Sequence, residues 1–446
     1  MRAATLLERP WRRPEAVLSA FADEPWTCAF LSGGAGDNAR WSYLLREPDA
    51  TLALAGDDAR DPFDLIRNLL GEPCDNHPDG PPFQGGLAGL AAYELGDRVE
   101  PLGLARHPDW PDLLVGRYPA LLAFDHDRRR VLAIGRTAAQ AADAATWLEA
   151  PDHEPATGRL ALAVEASPPD AYEAAVAEVV GRIHDGEYFQ ANIARLWTGR
   201  LVPGARPFDL AARLVGQSAA PFAGYLRTPG RALVSNSPER FVSVGAVDET
   251  GGRRLTVETR PIKGTRPRGA TPAADAALAA ELVASEKDRA ENLMIVDLMR
   301  NDLSRVCSPG AVTTPELFRV ESFANVHHLV STVRGVLAPG MTAADLLEAA
   351  FPPGSVTGAP KIQAMRSIAR LEPPRGPYCG ALFWAGFDGA FDSSVLIRTL
   401  GLVEEPDGWR FEARAGAGIV ADSDPGAERL ETEDKIAALL RALTTE

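Results

Sequence analysis

Glu258-Thr259-Arg260-Pro261-Ile262-Lys263-Gly264-Thr265 marks the point where the chain changes character. Strand-rich sequence leads into it, and a long helical pattern over residues 272–305 leads out. Working outward, residues 223–226 and 232–235 read as a strand pair running into Asn236-Ser237-Pro238-Glu239-Arg240-Phe241, and residues 188–194 as a strand. Before them, a helix beginning near Asp170 carries Tyr172, Val176, Val179, Val180 and Ile183 at helical spacing and stops at the turn His184-Asp185-Gly186. No fixed-period repeat is visible. Helices mix with hairpins instead of alternating regularly with strands, so the expected class is α+β rather than a βαβ array.

Upstream, residues 26–150 consist of short apolar runs broken by Gly, Pro and Asp, and read as strands and hairpins with a few helices. The glycines in Gln84-Gly85-Gly86-Leu87-Ala88-Gly89 lack dinucleotide-loop spacing, and close backbone packing is the expected reason for them. Residues 150–168 are Ala-, Pro- and Glu-rich and read as a linker or exposed excursion. The division expected is an N-terminal region, 1–150, packed on a catalytic region, 165–446, together one compact unit. Whether the former, including Leu31-Ser32-Gly33-Gly34, takes an effector such as tryptophan stays open.

The 446 residues suffice for a substantial core. A net charge of −15 argues against non-specific binding to nucleic acid or an anionic membrane, and any anionic substrate then needs a local positive site. Cys28, Cys74, Cys307 and Cys379 are far apart, without a Cys-x-x-Cys pair, which suggests neither a zinc site nor a disulfide framework and fits a reducing cytoplasm. Neither a signal peptide nor a membrane-spanning run is expected.

Lys263 stands out because only four of the 46 basic residues are lysines: Lys263, Lys287, Lys361 and Lys435. Arginine keeps its proton, whereas a desolvated lysine can lose one and become a nucleophile. Asp288 and Glu291 share a helix face, as do Glu428 and Glu431, and Lys435 follows Glu431 by one turn. If those helices meet, four carboxylates offer oxygen ligands to a hard divalent cation. Otherwise they are solvated charge-paired faces. In residues 323–331, which run from a loop into a strand, one of His327 and His328 is expected to point inward. Pro352-Pro353-Gly354-Ser355-Val356-Thr357-Gly358-Ala359-Pro360-Lys361 has the wrong glycine spacing for a phosphate loop. Gly416 and Gly418 offer backbone amides as a nest for a carboxylate.

Taken together and in this order, these blocks resemble the chorismate-utilising enzymes, the family of the component I chains of anthranilate and aminodeoxychorismate synthase and of the isochorismate and salicylate synthases. The resemblance is strongest from Asp170 onward, through residues 236–241, 259–265, 286–302, 326–331, 354–361, 378–381, 393–399, 415–423 and 428–435. It implies a layered α/β/β/α core with two packed antiparallel sheets and a reaction at chorismate, a cyclic dianion that must lose a ring hydroxyl. It further implies Mg²⁺ between one substrate carboxylate and Glu291 and Glu431, with Asp288 and Glu428 completing the shell. The second carboxylate is expected at Arg398, Tyr378, Lys435 and the amides of Gly416 and Gly418. Glu239 matches the general acid, and His328 and Thr357 match positions near the leaving group and ring.

Two positions separate the branches. Gln190 stands where the water-using branches are expected to carry a lysine base. Lys263 stands where anthranilate synthases carry alanine, and its Pro-Ile-Lys-Gly-Thr setting resembles the aminodeoxychorismate-forming branch, in which the amine attacks the ring and ammonia resolves the adduct. The resemblance implies 4-amino-4-deoxychorismate as product, on the route to p-aminobenzoate and folate. It also implies ammonia from a separate glutamine amidotransferase subunit, since no amidotransferase Cys/His site is evident, and a further enzyme for loss of pyruvate, since no lyase extension follows Glu446. The alternatives are an anthranilate synthase component I and an inactive family member acting as a binding protein.

Overall fold

The computed structural model describes residues 3–33, 39–249, 252–323 and 326–445. Gly34 of the stretch considered for an effector, and Ala324 and Asn325 ahead of the histidine pair, lie outside the described residues.

Two large antiparallel sheets form the centre of the fold. One has 12 strands and runs from Thr5–Pro10 at one edge, through Cys28–Leu31, Phe222–Thr228 and Arg231–Ser237, to Thr399–Glu405, Gly408–Ile419 and Gln190–Leu201. The other has 10 strands and runs from Ile262–Pro267 through Val326–Val336, Gly252–Thr259 and Arg240–Glu249 to Phe391–Val395, Ala381–Gly386, Gly86–Ala91 and Leu113–Tyr118. Residues from before and after position 150 hydrogen-bond within both sheets: Phe30 is opposite Gly224, and Leu90 opposite Leu382.

Period-two alternation makes this a four-layer molecule, because successive side chains on a strand leave by opposite faces. Along Arg130–Gly135, Leu132 and Ile134 join Tyr43, Leu114, Leu382 and Trp384 in the layer between the sheets, while Val131 and Ala133 pack on the helix side with Val17, Ala144, Leu439 and Leu443. The outer face of the second sheet is covered in the same way, with Leu87, Phe241 and Phe383 against Ile295, Met299 and Leu347. A smaller cluster holds Tyr172, Val176 and Ile368 on Ala191, Ile193 and Ala417. The α+β class and the layered α/β/β/α arrangement are therefore as expected. Close packing also explains the upstream glycines. A β-carbon at Gly86 would lie 2.0 Å from the Ala385 carbonyl oxygen, and one at Gly89 would lie 1.9 Å from that of Leu114. No helix among the described residues is long and apolar enough to cross a membrane.

The helix Pro169–His184 matches its expected limits, with proline at its start and Gly186 at φ +81° just past its end. Two expectations change. The supposed linker contains the strand Ala161–Ala166, paired with Gln190–Leu201, and the single long helix is two, Pro272–Ala284 and Glu286–Ser304. The break occurs at Ser285, whose side chain accepts a hydrogen bond from the Asp288 amide and starts the second helix afresh.

Lys361 turns inward. Its ammonium meets Asp302 at 2.7 Å and the Ala350 carbonyl at 2.6 Å, tying the helix Lys361–Leu371 to Glu286–Ser304. Removing one partner leaves a buried charge unpaired. Lys361→Met is therefore expected to cost about 3–5 kcal/mol in chemical denaturation, and Lys361→Met with Asp302→Leu is expected to recover most of it.

Candidate active site

Lys263 is not in a loop. It lies on the strand Ile262–Pro267, where pairing with Val326–Val336 slips between Ile262↔Val330 and Thr265↔His328. The slip is a bulge, which turns side chains out of the regular pleat. Gly264 allows it with φ +87°, and a β-carbon there would come within 3.0 Å of Asp288. Behind the bulge, the buried amide of Asn292 donates to the carbonyls of Pro261 and Leu329 and accepts from the Ser331 hydroxyl at 2.5 Å. At the head of the stretch, Glu258 pairs with Arg334 at 2.7 Å and takes no part in the pocket.

Opposite the amine, along Gly408–Ile419, Gly416 and Gly418 share a strand face. A β-carbon at Gly418 would lie 3.3 Å from Lys263 Nζ and 3.0 Å from Gln190 Nε2, and one at Gly416 would lie 2.9 Å from the Tyr378 hydroxyl. The two glycines leave room for the amine at one and the phenol at the other, on the same face of the strand. Pairing with Thr399–Glu405 ends at Ala413, so both glycines lie on an extended strand past its last partner on that side, not in a nest. Lys435 Nζ donates to the Gly416 carbonyl at 2.9 Å and pairs with Glu431 at 2.5 Å. Gln190 is fully buried, and neither atom of its amide has a partner among the described residues.

Glu239 sits between the strands Arg231–Ser237 and Arg240–Glu249. Its backbone carbonyl accepts from Val395 N at 3.0 Å and its amide donates to Ser237 Oγ at 3.2 Å. The Ser355 hydroxyl donates to its Oε1 at 2.7 Å. Burial raises the Glu239 carboxyl above its ordinary range, against the pull of that hydrogen bond and of Lys263, Lys435 and Arg398. Burial acts in the opposite sense on Lys263. It lowers the amine, with Lys435 adding to the fall and Glu291, Glu239 and Glu431 opposing it. Burial thus favours the neutral form of both the acid and the amine, the sense that displacement of a hydroxyl needs. Burial also lowers Arg398, which adopts φ +51°, and Arg398 in turn helps burial to lower His328.

Of the two histidines, His327 is the inward one, bonded to Ser322 and Asp275. His328 faces the other way and shares a hydrogen bond of 2.9 Å between its Nδ1 and the Thr265 hydroxyl, bracing the bulge. Thr357 is buried and donates to the Pro353 carbonyl at 2.9 Å.

The four carboxylates come from the two expected helices, Glu286–Ser304 and Pro425–Thr444. Burial raises Glu291, and both Asp288 and Glu431 add to the rise. It also raises Glu428, again with a contribution from Glu431. Lys263, and Lys287 at 3.9 Å, offset this repulsion at Glu291, as do Arg266 at 3.1 Å from Asp288, Lys435 on Glu431, and Ser423 at 2.6 Å from Glu428. Among the described residues no three His, Cys, Asp or Glu side chains close into a cage. The donor set is nevertheless all oxygen and mutually repelling, which fits a hard divalent cation. Sequence reading missed Ser355, Thr265, Arg266, Asn292 and Ser423. Ser355, Thr265, Arg266 and Ser423 are polar partners of residues that the sequence did single out, Asn292 braces the bulge from behind, and no local pattern marks such partners.

The family model for chorismate binding enzymes matches residues 27–441. Aminodeoxychorismate synthase component 1 of Klebsiella aerogenes is 39% identical, over 99% of this chain and 100% of that protein. Anthranilate synthase component 1 of Thermus thermophilus is 38% identical, over 92% of this chain and 88% of that protein. Among solved structures, anthranilate synthase component I from Streptococcus pneumoniae superposes with a TM-score of 0.78 at 29% identity, covering 91% of this chain and 93% of that one.

Proposed function

This chain belongs to the chorismate-binding enzymes, and from that premise we propose that it converts chorismate and ammonia to 4-amino-4-deoxychorismate, with Lys263 as nucleophile and Glu239 as general acid. The observation that carries the reading is the Lys263 amine set beside Gly418 and Gln190 and electrostatically coupled to Glu239. The neutral amine forms a C–N bond to the ring, the ring double bonds shift, and the C–O bond breaks as Glu239 gives its proton to the leaving oxygen, which departs as water. Ammonia then bonds to the carbon that lost oxygen, the double bonds shift back as the bond to Lys263 breaks and it leaves as the amine, and the proton shed by the incoming nitrogen returns to Glu239, so that chorismate and ammonia become aminodeoxychorismate and water. Gln190 cannot take a proton from water at neutral pH, which favours this course over hydration.

Arg398, Tyr378, Lys435 and the strand edge at Gly416 and Gly418 receive one substrate carboxylate. Glu291 and Glu431, with Asp288 and Glu428, would hold Mg²⁺ for the other. When bound, the ion supplies positive charge that turns an acidic wall into a site for an anion. The component 1 name of the relatives is consistent with a second subunit, and in this reading that subunit is a glutamine amidotransferase supplying ammonia. The test is product identification after incubating the purified chain with chorismate, Mg²⁺ and ammonium. Aminodeoxychorismate is expected, and anthranilate overturns the assignment in favour of the second branch among the relatives. Chelation of the metal is expected to slow chorismate consumption about 10²-fold or more, reversibly on adding Mg²⁺ back.

A further inference from the structure

We infer that Ser355 is a positioning residue for the acid: its hydroxyl fixes the Glu239 carboxyl so that the proton for the leaving oxygen is carried on Oε2. The inference rests on the role proposed for Glu239. Because Ser355 Oγ donates to Oε1 at 2.7 Å, that oxygen is engaged as an acceptor, and in the protonated acid the hydrogen resides on the other oxygen.

Both ends of this contact are held independently. Glu239 is pinned through its backbone by Ser237 and Val395, which leaves the side-chain torsions to be set by what the carboxyl meets. Ser355 lies in the single turn Gly354–Val356. A β-carbon at Gly354 would be 2.3 Å from Leu298 Cδ2, so this turn rests directly on the helix that carries Glu291. Its far side is fixed by the Thr357 hydroxyl on Pro353 and by the Asn192 amide donating to the Thr357 carbonyl at 2.8 Å. The Lys361–Asp302 pair clamps the segment that follows. A rigid donor aimed at one oxygen of a carboxyl is what proton delivery to a single point requires.

The other groups acting on Glu239 are the cations Lys263, Lys435 and Arg398, which favour the carboxylate as Ser355 does. Removing the hydroxyl therefore moves the titration of Glu239 upward, whereas a loosening of packing that admits water moves it downward, because burial is what raises it. The test compares Ser355→Ala and Ser355→Thr with the wild type, reading chorismate consumption with Mg²⁺ and ammonium across pH. Ser355→Ala is expected to lower kcat about tenfold at nearly constant KM, the scale of one charge-assisted hydrogen bond, and to shift the Glu239 limb of the profile to higher pH. Ser355→Thr, which keeps the hydroxyl, is expected to restore both. An unmoved profile in Ser355→Ala, or equal losses in the two variants, overturns the inference. Because the readout is substrate loss, the identity of the product separately decides the amination reading.

Discussion

Lys263→Ala is expected to abolish the covalent adduct and to slow amination about 10²-fold, equivalent to roughly 2.7 kcal/mol of transition-state stabilisation. Mixed with chorismate and Mg²⁺ in the absence of ammonia, the wild type should gain the mass of one chorismate less one water, and the variant should gain nothing. The amine suits this role for a physical reason. Loss of water lowers its proton affinity, which favours the free lone pair, and the added Lys435 charge works in the same direction. The neighbouring Glu291, Glu239 and Glu431 limit the fall. Binding of a divalent cation to Glu291 and Glu431 would cancel two of these opposing charges, so Mg²⁺ is expected to free the amine further as well as hold substrate. Amination by Lys263→Ala at the wild-type rate would sink the nucleophile assignment.

Glu239→Gln should cost more, about 10²–10⁴-fold in kcat, the usual worth of a positioned acid. Glutamine keeps the shape and can still accept the Ser355 hydrogen bond, but it has no acidic proton for a departing hydroxyl. Chorismate affinity, measured by calorimetry, is expected to hold within a few-fold, because glutamine keeps the shape and the absence of charge of the protonated acid beside Arg398 and Lys435. Adduct formation in the absence of ammonia should slow by the same factor as turnover, since the proton is spent in the first displacement. A variant within about fivefold of wild type would place the acid elsewhere.

The parts of this molecule that were legible in sequence are those written in short-range patterns. The helix Pro169–His184 could be read from its apolar spacing and its terminal glycine. The four layers follow from alternation in runs such as Arg130–Gly135. Lys263 was conspicuous because arginine replaces lysine almost everywhere else. What escaped depends on partners distant in the chain. The Ser285 break is set by one capping hydrogen bond inside an otherwise continuous helical pattern. The bulge that aims Lys263 arises from pairing with Val326–Val336, and no feature of residues 258–265 alone distinguishes it from a loop. Gly416 and Gly418 were expected to form a nest, since a pair of nearby glycines suits one. Ten paired residues with Gln190–Leu201 hold them extended instead. Ser355 was quoted as part of a family block, but its hydroxyl acquires meaning only when Glu239 is brought beside it.

The interleaving of the two sheets has a consequence for how the molecule comes into being. Leu90 waits for Leu382, Phe30 waits for Gly224, and the pocket draws on the helix Pro425–Thr444 for Glu428, Glu431 and Lys435. During synthesis on the ribosome the early strands therefore emerge long before their neighbours exist, with open edges and an uncovered apolar face. Such pairings between distant segments close slowly. Nascent chain paused at any earlier point has no pocket at all, so catalytic competence appears late and all at once, and the growing polypeptide is a natural client for chaperones that shield strand edges.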